Sequence, residues 1–342
     1  MEWNAESIID FKAFHHQESA VPQSILSADL RIIWHNRAFQ ELFRLEEEVC
    51  DEHIGRFAAF SGSDQRSLFH QLNDPDTGYS FSGRGESQFQ HHSKLYTDVL
   101  IIPLLSKDQE EAIGGYCAYF HDVSADYKQN LKAIFSGLLQ ASLMKDNDTG
   151  QHIERVNQYS ALMAEELYRS GTILEVNLDF VENISFLAAM HDVGKIGIPD
   201  DLLNKEGPLE DWEWEIMKTH TLNGAYILAS YPDSMAVEIA RSHHERWDGS
   251  GYPYGLLGSM IPLSARIVTI ADVYDALRTK RSYKDEMSHA QAKELILLGK
   301  ETQFDPDLVE LFKDLEPDFE RIYAEMVDRP SSRTQTLPTE LD

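Results

Sequence analysis

The hydrophobic period of the chain changes close to residue 122. A sequence that alternates on one side of such a boundary and repeats every three to four residues on the other cannot form one uniform architecture. On the N-terminal side, residues 24–27 and 31–34 read as two strands joined at Ala28-Asp29, and Asn36 is placed to cap a helix whose apolar residues are Phe39, Leu42 and Phe43. Strand-like runs follow at 87–90, 95–105 and 113–120. Beyond the boundary, Tyr127, Leu131, Ile134 and Leu138 fall at intervals of four, three and four, with Phe135 and Leu139 beside them, as on a helix with a heptad-like seam. Helical period then persists to about Val327, in segments around 150–169, 178–191, 211–229, 234–245, 263–279 and 288–300. The expected fold is multidomain: an extension at 1–17, an N-terminal α+β domain at 18–123, a helical linker at 124–147, an all-α domain at 148–327 and a disordered tail at 328–342. The linker helix either packs on its own domain or pairs with a second copy to make a homodimer.

Charge narrows the function classes. With 30 Lys+Arg against 58 Asp+Glu, the formal net charge of the 342-residue chain is −28, and such a field repels nucleic-acid polymers and anionic membranes. An anionic small substrate would be repelled as well, so it must be captured by a local cluster of cations. The two cysteines, Cys50 and Cys117, are too few for a disulfide framework, and the acidic neighbours of Cys50 discourage its thiolate. The N-terminus is acidic where a secretory signal is basic, and the longest apolar stretches fall far short of the ~20 residues that span a bilayer. A cytoplasmic protein without a membrane partner is expected.

In the helical half, histidines keep company with aspartate: His152, the pair His191-Asp192, His220, the doublet His243-His244, and Asp272. Surface histidines have no reason to occur beside Asp192 or as a doublet, each at the end of an amphipathic segment and each followed by a glycine-containing turn. Imidazole and carboxylate without thiolate suit Fe, Mn, Co, Ni or Zn in a polynuclear site that keeps positions open for water and substrate, since a carboxylate can bridge two cations. The doublet has an alternative role as a C-terminal helix cap.

The residues His191-Asp192-Val193-Gly194-Lys195, the stretch 243–253 (His-His-Glu-Arg-Trp-Asp-Gly-Ser-Gly-Tyr-Pro) and the stretch 271–277 followed by Arg281-Ser282-Tyr283-Lys284 resemble the HD-GYP group of the HD phosphohydrolase superfamily over about 130–327. The resemblance implies a metal-dependent phosphodiesterase that opens cyclic di-GMP to linear pGpG and, in many members, GMP. It implies two or three divalent ions, Fe or Mn, held by His152, His191, Asp192, His220, His243, His244 and Asp272, with Asp192 bridging. Asp148 stands where members with three metals have Glu; one methylene shorter, it is either a ligand or a turn carboxylate. Lys195 matches the lysine that contacts the scissile phosphate, and Gly251 and Tyr252 lie in a substrate-binding loop. Arg281 and Lys284 match residues that hold the nucleotide; Ser282 departs from a common proline. Asp275, one helical turn beyond Asp272, is expected to support a ligand rather than to be one.

Residues 28–39 together with 120–124 resemble a PAS domain, which implies a sensor of unidentified ligand; His70 occupies the helical region where haem-binding members carry an axial histidine. Two other readings stay open. One is a metal-bound cyclic dinucleotide receptor that works through partners such as diguanylate cyclases, and the other is a phosphodiesterase that prefers cyclic GMP-AMP.

Overall fold

The computed structural model describes residues 19–47, 49–60, 68, 70–87, 94–106, 112–145, 150–229, 231, 234–279 and 286–327. The chain divides into two compact units, Met1–Leu131 and Lys132–Asp342. The extension at 1–17 and the tail at 328–342 lie outside the described residues.

The first unit is α+β. Strands β1 (Gln23–Leu26) and β2 (Ile32–His35) pair antiparallel, and Asn36 caps helix α1 (Arg37–Leu42). The Asn36 side chain accepts from the backbone N–H of Phe39 at 2.9 Å and of Gln23 at 3.1 Å, and donates to the carbonyl of Val21 at 2.8 Å. One amide thus fixes the helix start to the strand edge. Strands β3 (Ala59–Phe60), β4 (Phe81–Ser87), β5 (Leu95–Leu105) and β6 (Ile113–Asp122) complete an antiparallel sheet of order β2-β1-β6-β5-β4-β3. A strand pair, helix and returning antiparallel run is the PAS-like order that the sequence implied.

Strand β4 begins earlier than the expected 87–90, because its inward alternation is carried by Phe81, Gly85 and Ser87, which hydropathy barely registers. The core is aromatic: Phe39 meets Phe43 at 4.6 Å and Phe120 at 5.2 Å, and Phe43 meets Phe57 at 5.3 Å. Burying each such ring stabilises the unit by ~1.5–3 kcal/mol. The sequence-based suggestion for His70 is corrected here. Its imidazole is 79% exposed, 3.9 Å from Asp74, and a haem ligand inside such a domain has to point inward.

The second unit is helical. Helix α2 (Ser124–Leu143) contains the division between the units. Its buried anchor is Phe135, whose ring lies 5.0 Å from Tyr231, whereas Ile134 on the predicted seam remains 46% exposed. Helices α3 (Gly150–Ser170), α4 (Leu178–Leu187), α5 (Asp200–Leu203), α6 (Asp211–Lys218), α7 (His220–Leu228), α8 (Ser234–Ser242), α9 (Leu263–Arg278), α10 (His289–Leu298) and α11 (Pro306–Val327) follow.

Helix α9 is buried over most of its surface, polar Ser264, Thr269, Asp275 and Arg278 included, and the Tyr159 ring of α3 stacks on Phe319 of α11 at 4.5 Å. The expected 211–229 segment is two helices broken at Thr219, where an N–H bonds back only three residues, to Ile216. Helix α11 was not singled out from sequence. Pro317 and many acids obscure a buried stripe of Leu308, Phe312, Leu315, Phe319, Ile322 and Met326, spaced four, three, four, three and four apart. Among the described residues no helix is long and apolar enough to cross a membrane.

Candidate metal centre

Five segments deliver the candidate ligands. His152 lies in the first turn of α3, and Asp272 on α9. His191 and Asp192 sit between two 3-10 turns, Ala188–Met190 and Val193–Gly197, that continue α4. The break at Thr219 makes His220 the first residue of α7, and His243-His244 follow the end of α8. Close approach of α7 to the second 3-10 turn depends on Gly194: a Cβ there would stand 1.9 Å from the carbonyl of His220 and 2.3 Å from the nitrogen of Gly224.

These side chains converge in two adjoining groups, Asp192 with His220, His243 and His244, and His152 with His191 and Asp272; within each group the ligand-type atoms all lie within 4.8 Å of one another. Asp192 joins them. Its Oδ1 is 3.4 Å from Nε2 of His220 and 3.7 Å from Nε2 of His243, while its Oδ2 is 3.3 Å from Nε2 of His191. Asp272 Oδ1 lies 3.6 Å from Nε2 of His152 and 3.9 Å from Nε2 of His191.

The other ring nitrogens explain the aim. Nδ1 of His191 contacts the carbonyl of Ala188 at 2.8 Å, that of His220 the carbonyl of Met217 at 2.7 Å, and that of His243 the carbonyls of Ile239 and Ala240 at 3.1 Å. A carbonyl only accepts, so each Nδ1 carries the proton and turns Nε2 toward the cluster. His152 is held differently, through Nδ1 to Asp275 Oδ2 at 2.8 Å. Asp275 is fully buried and also receives Nε and Nη2 of Arg155, at 2.5 and 2.8 Å. Two helical pairs therefore face each other, His152 and Arg155 on α3 against Asp272 and Asp275 on α9. The sequence placed Asp275 in this supporting role and missed Arg155, although its i, i+3 spacing from His152 repeats that of the two aspartates.

The electrostatics call for positive charge. Burial works against a charged His191, but the carboxylates of Asp192 and Asp272 outweigh it and lift the imidazole to about 9. Burial would raise the Asp192 carboxyl, yet Lys195 and His191 hold it well below the carboxylate range. His220 is lowered to about 4, chiefly by burial, and burial with His243 and His220 depresses His244 well below its ordinary value. Nε2 of His191 and Oδ1 of Asp192 are buried with no hydrogen-bond partner among the described residues. The lowered imidazoles of His220 and His244, the depressed Asp192 carboxylate and these orphaned atoms fit divalent cations, which would take the place of the proton that the carboxylates now hold on His191.

Around this cluster, Lys195 Nζ stands 2.8 Å from Asp192 Oδ2, and Tyr252 stacks on His244 at 4.8 Å. Burial raises the Tyr252 phenol, which stays neutral at pH 7. Gly251 packs against its own chain, since a Cβ would meet the nitrogen of Arg246 at 2.3 Å. Positive φ in this loop belongs to Gly249, at 78°, and to Gly255, at 64°. Buried Glu245, which sequence reasoning passed over, accepts from the backbone N–H of Tyr254 at 2.8 Å and of Leu256 at 2.9 Å, and so ties the loop to the histidine doublet. Trp214, also unforeseen, is 45% exposed beside Tyr252 at 6.5 Å. Asp148, Arg281 and Lys284 lie outside the described residues.

Comparison with known proteins matches residues 149–308 to the HD domain family. A probable cyclic di-GMP phosphodiesterase of Vibrio cholerae is 40% identical over 210 residues, covering 58% of this chain and 48% of that protein. A 3'3'-cGAMP-specific phosphodiesterase 2 of the same organism is 40% identical over 210 residues, covering 60% and 39%. A cyclic di-GMP phosphodiesterase of Thermotoga maritima is 40% identical over 212 residues, covering 60% and 55%. The chain spans about half the length of these relatives or less. Family match and candidate-ligand geometry coincide on the same segments: residues 149–308 of this chain match the HD domain family, and both groups of converging side chains lie within them.

Proposed function

We propose that the second unit is a phosphodiesterase of the HD-GYP type that hydrolyses cyclic di-GMP to linear pGpG and, by a second cleavage, GMP, under the control of the PAS-like first unit. The observation that carries this reading is the convergence of His152, His191, Asp192, His220, His243, His244 and Asp272 into two adjoining groups that share Asp192. Two divalent ions, Fe or Mn, would be held there, and when bound they supply an activated water and neutralise charge on the phosphoryl oxygens.

The chain's own residues do the rest. Lys195, 18% exposed at the edge of the cluster, offers its ammonium to a phosphoryl oxygen as negative charge develops. Tyr252 offers a neutral phenol donor, and Glu245 keeps its loop in place. Trp214 presents a flat aromatic surface beside Tyr252, where a purine can stack for ~1–3 kcal/mol per base. These local cations and rings answer the repulsion that a net charge of −28 imposes on a dinucleotide. Pairing of two copies through α2 belongs to the same reading, whereas contacts with diguanylate cyclases belong to the alternative of a receptor that binds without turnover.

Similarity to a 3'3'-cGAMP-specific relative favours a second reading, in which the mixed dinucleotide is preferred. The test is anaerobic purification with elemental analysis, followed by product analysis on both dinucleotides. Metal-dependent formation of pGpG, abolished in H191A/D192A while the first unit stays folded, is expected. Nucleotide binding without product would instead identify a receptor, and full activity of the double variant would remove the site.

A further inference from the structure

The last described residue of the segment that follows α2 is engaged in an unusual way for a lysine. Lys145, whose backbone N–H bonds to Ser142 at the helix end, extends its ammonium to the carbonyl of Ile196 at 2.7 Å and of Ile198 at 2.6 Å, with Asp200 Oδ1 at 3.2 Å. All three donors of the ammonium are directed at one short segment. That segment is the 3-10 turn Val193–Gly197 and its exit, in which the N–H of Lys195 bonds to Asp192 and that of Ile198 bonds to Lys195, each at 3.0 Å. Bonds from a charged donor to carbonyls are stronger than neutral ones, and only 29% of the Lys145 side chain is exposed. The end of α2 is thereby fastened to the backbone that carries Lys195, more than 50 residues further along the chain.

We propose that Lys145 is a positioning residue: by clamping the carbonyls of Ile196 and Ile198 it fixes the turn that holds the Lys195 ammonium beside Asp192, so that turnover depends on the state of the C-terminal end of α2. The inference rests on the reading of Lys195 as the group that meets the scissile phosphate. It gives α2, whose first residues belong to the other unit, a physical handle on the reaction that touches no metal ligand. A shift of this end that withdraws the ammonium leaves the ligands in place and frees the turn.

The experiment is a double-mutant cycle in the full-length, metal-replete chain with Lys145→Met and Lys195→Ala, read with cyclic di-GMP and with the generic diester bis(p-nitrophenyl) phosphate. K145M is expected to lose roughly tenfold to a hundredfold in kcat, with KM and metal content close to wild type, because a misplacement of about 1 Å costs up to that much. K145M/K195A should be no slower than K195A, since both changes remove one effect. Hydrogen exchange should quicken at 193–199 in K145M and stay unchanged in α3 and α9. Lys145→Gln, which keeps a donor for one carbonyl, replaces K145M if that variant does not fold, with the same expectations. Additive losses, a loss of metal, or unchanged exchange at 193–199 would each overturn the clamp. A wild-type chain that hydrolyses neither diester defeats the functional reading and with it the claim about turnover, whereas normal wild-type turnover with unaltered K145M defeats the clamp alone.

Discussion

Asp275→Asn tests how the centre is supported. The carboxylate is fully buried, and it compensates the Arg155 guanidinium, itself 3% exposed, while receiving the Nδ1 proton of His152. The amide is nearly isosteric, but it leaves a buried cation without its anion. Breaking a buried pair in this way costs ~3–5 kcal/mol, and we expect ~3 because the amide oxygen still accepts one bond. At ~2–4 °C per kcal/mol for a unit of this size, the melting transition of the metal-free second unit should fall by ~6–12 °C.

Burial would raise the Asp275 carboxyl, but the bonds from Arg155 and His152 outweigh it and hold it below its ordinary 3.8. The stabilisation is therefore present above 3.8 and is lost as pH falls through the lowered value. Loss of the anion behind His152 should also weaken metal binding by ~10–100-fold in a competition titration. Adding Arg155→Met removes the stranded charge, so the double variant should melt above D275N. A D275N protein with wild-type melting and metal affinity would show that the buried triad supports neither the fold nor the ligand.

Other perturbations separate the parts of the site. Gly194→Ala puts a methyl 1.9 Å from the His220 carbonyl, and calorimetry should find no cooperative melting of the second unit. Glu245→Ala strands the N–H groups of Tyr254 and Leu256 at ~1–3 kcal/mol each; KM for the dinucleotide should rise and exchange at 252–257 quicken, with metal content unchanged. Chelation should lower the melting transition of the second unit by ~5–10 °C, about 2.7 kcal/mol for a metal held at a hundred times its Kd, and leave that of the first unit where it was.

The candidate ligands were legible because metal chemistry restricts residue type: packing alone seldom produces pairs such as His191-Asp192 and His243-His244 at helix ends. Their supports were less visible. Arg155 and Glu245 are single charged letters in a chain with many, and only burial distinguishes them from solvated ones. Asp275 could be placed because its spacing from Asp272 alone puts both on one face of α9. Strand β4 and helix α11 escaped for opposite reasons. The strand buries glycine and serine, and the helix sets its regular stripe among many acids and Pro317. The break at Thr219 has no letter of its own; it lies where α7 packs against Gly194, a contact between distant segments.

The ring anchoring of His191, His220 and His243 by main-chain carbonyls has a consequence for how such a centre can diverge among related sequences. Those three orientations are properties of helix geometry, which substitution elsewhere leaves in place. His152 alone among the anchored four takes its orientation from a replaceable side chain. Among these four candidate ligands, the orientation that side-chain substitution can reset is therefore that of His152, through Asp275 and Arg155.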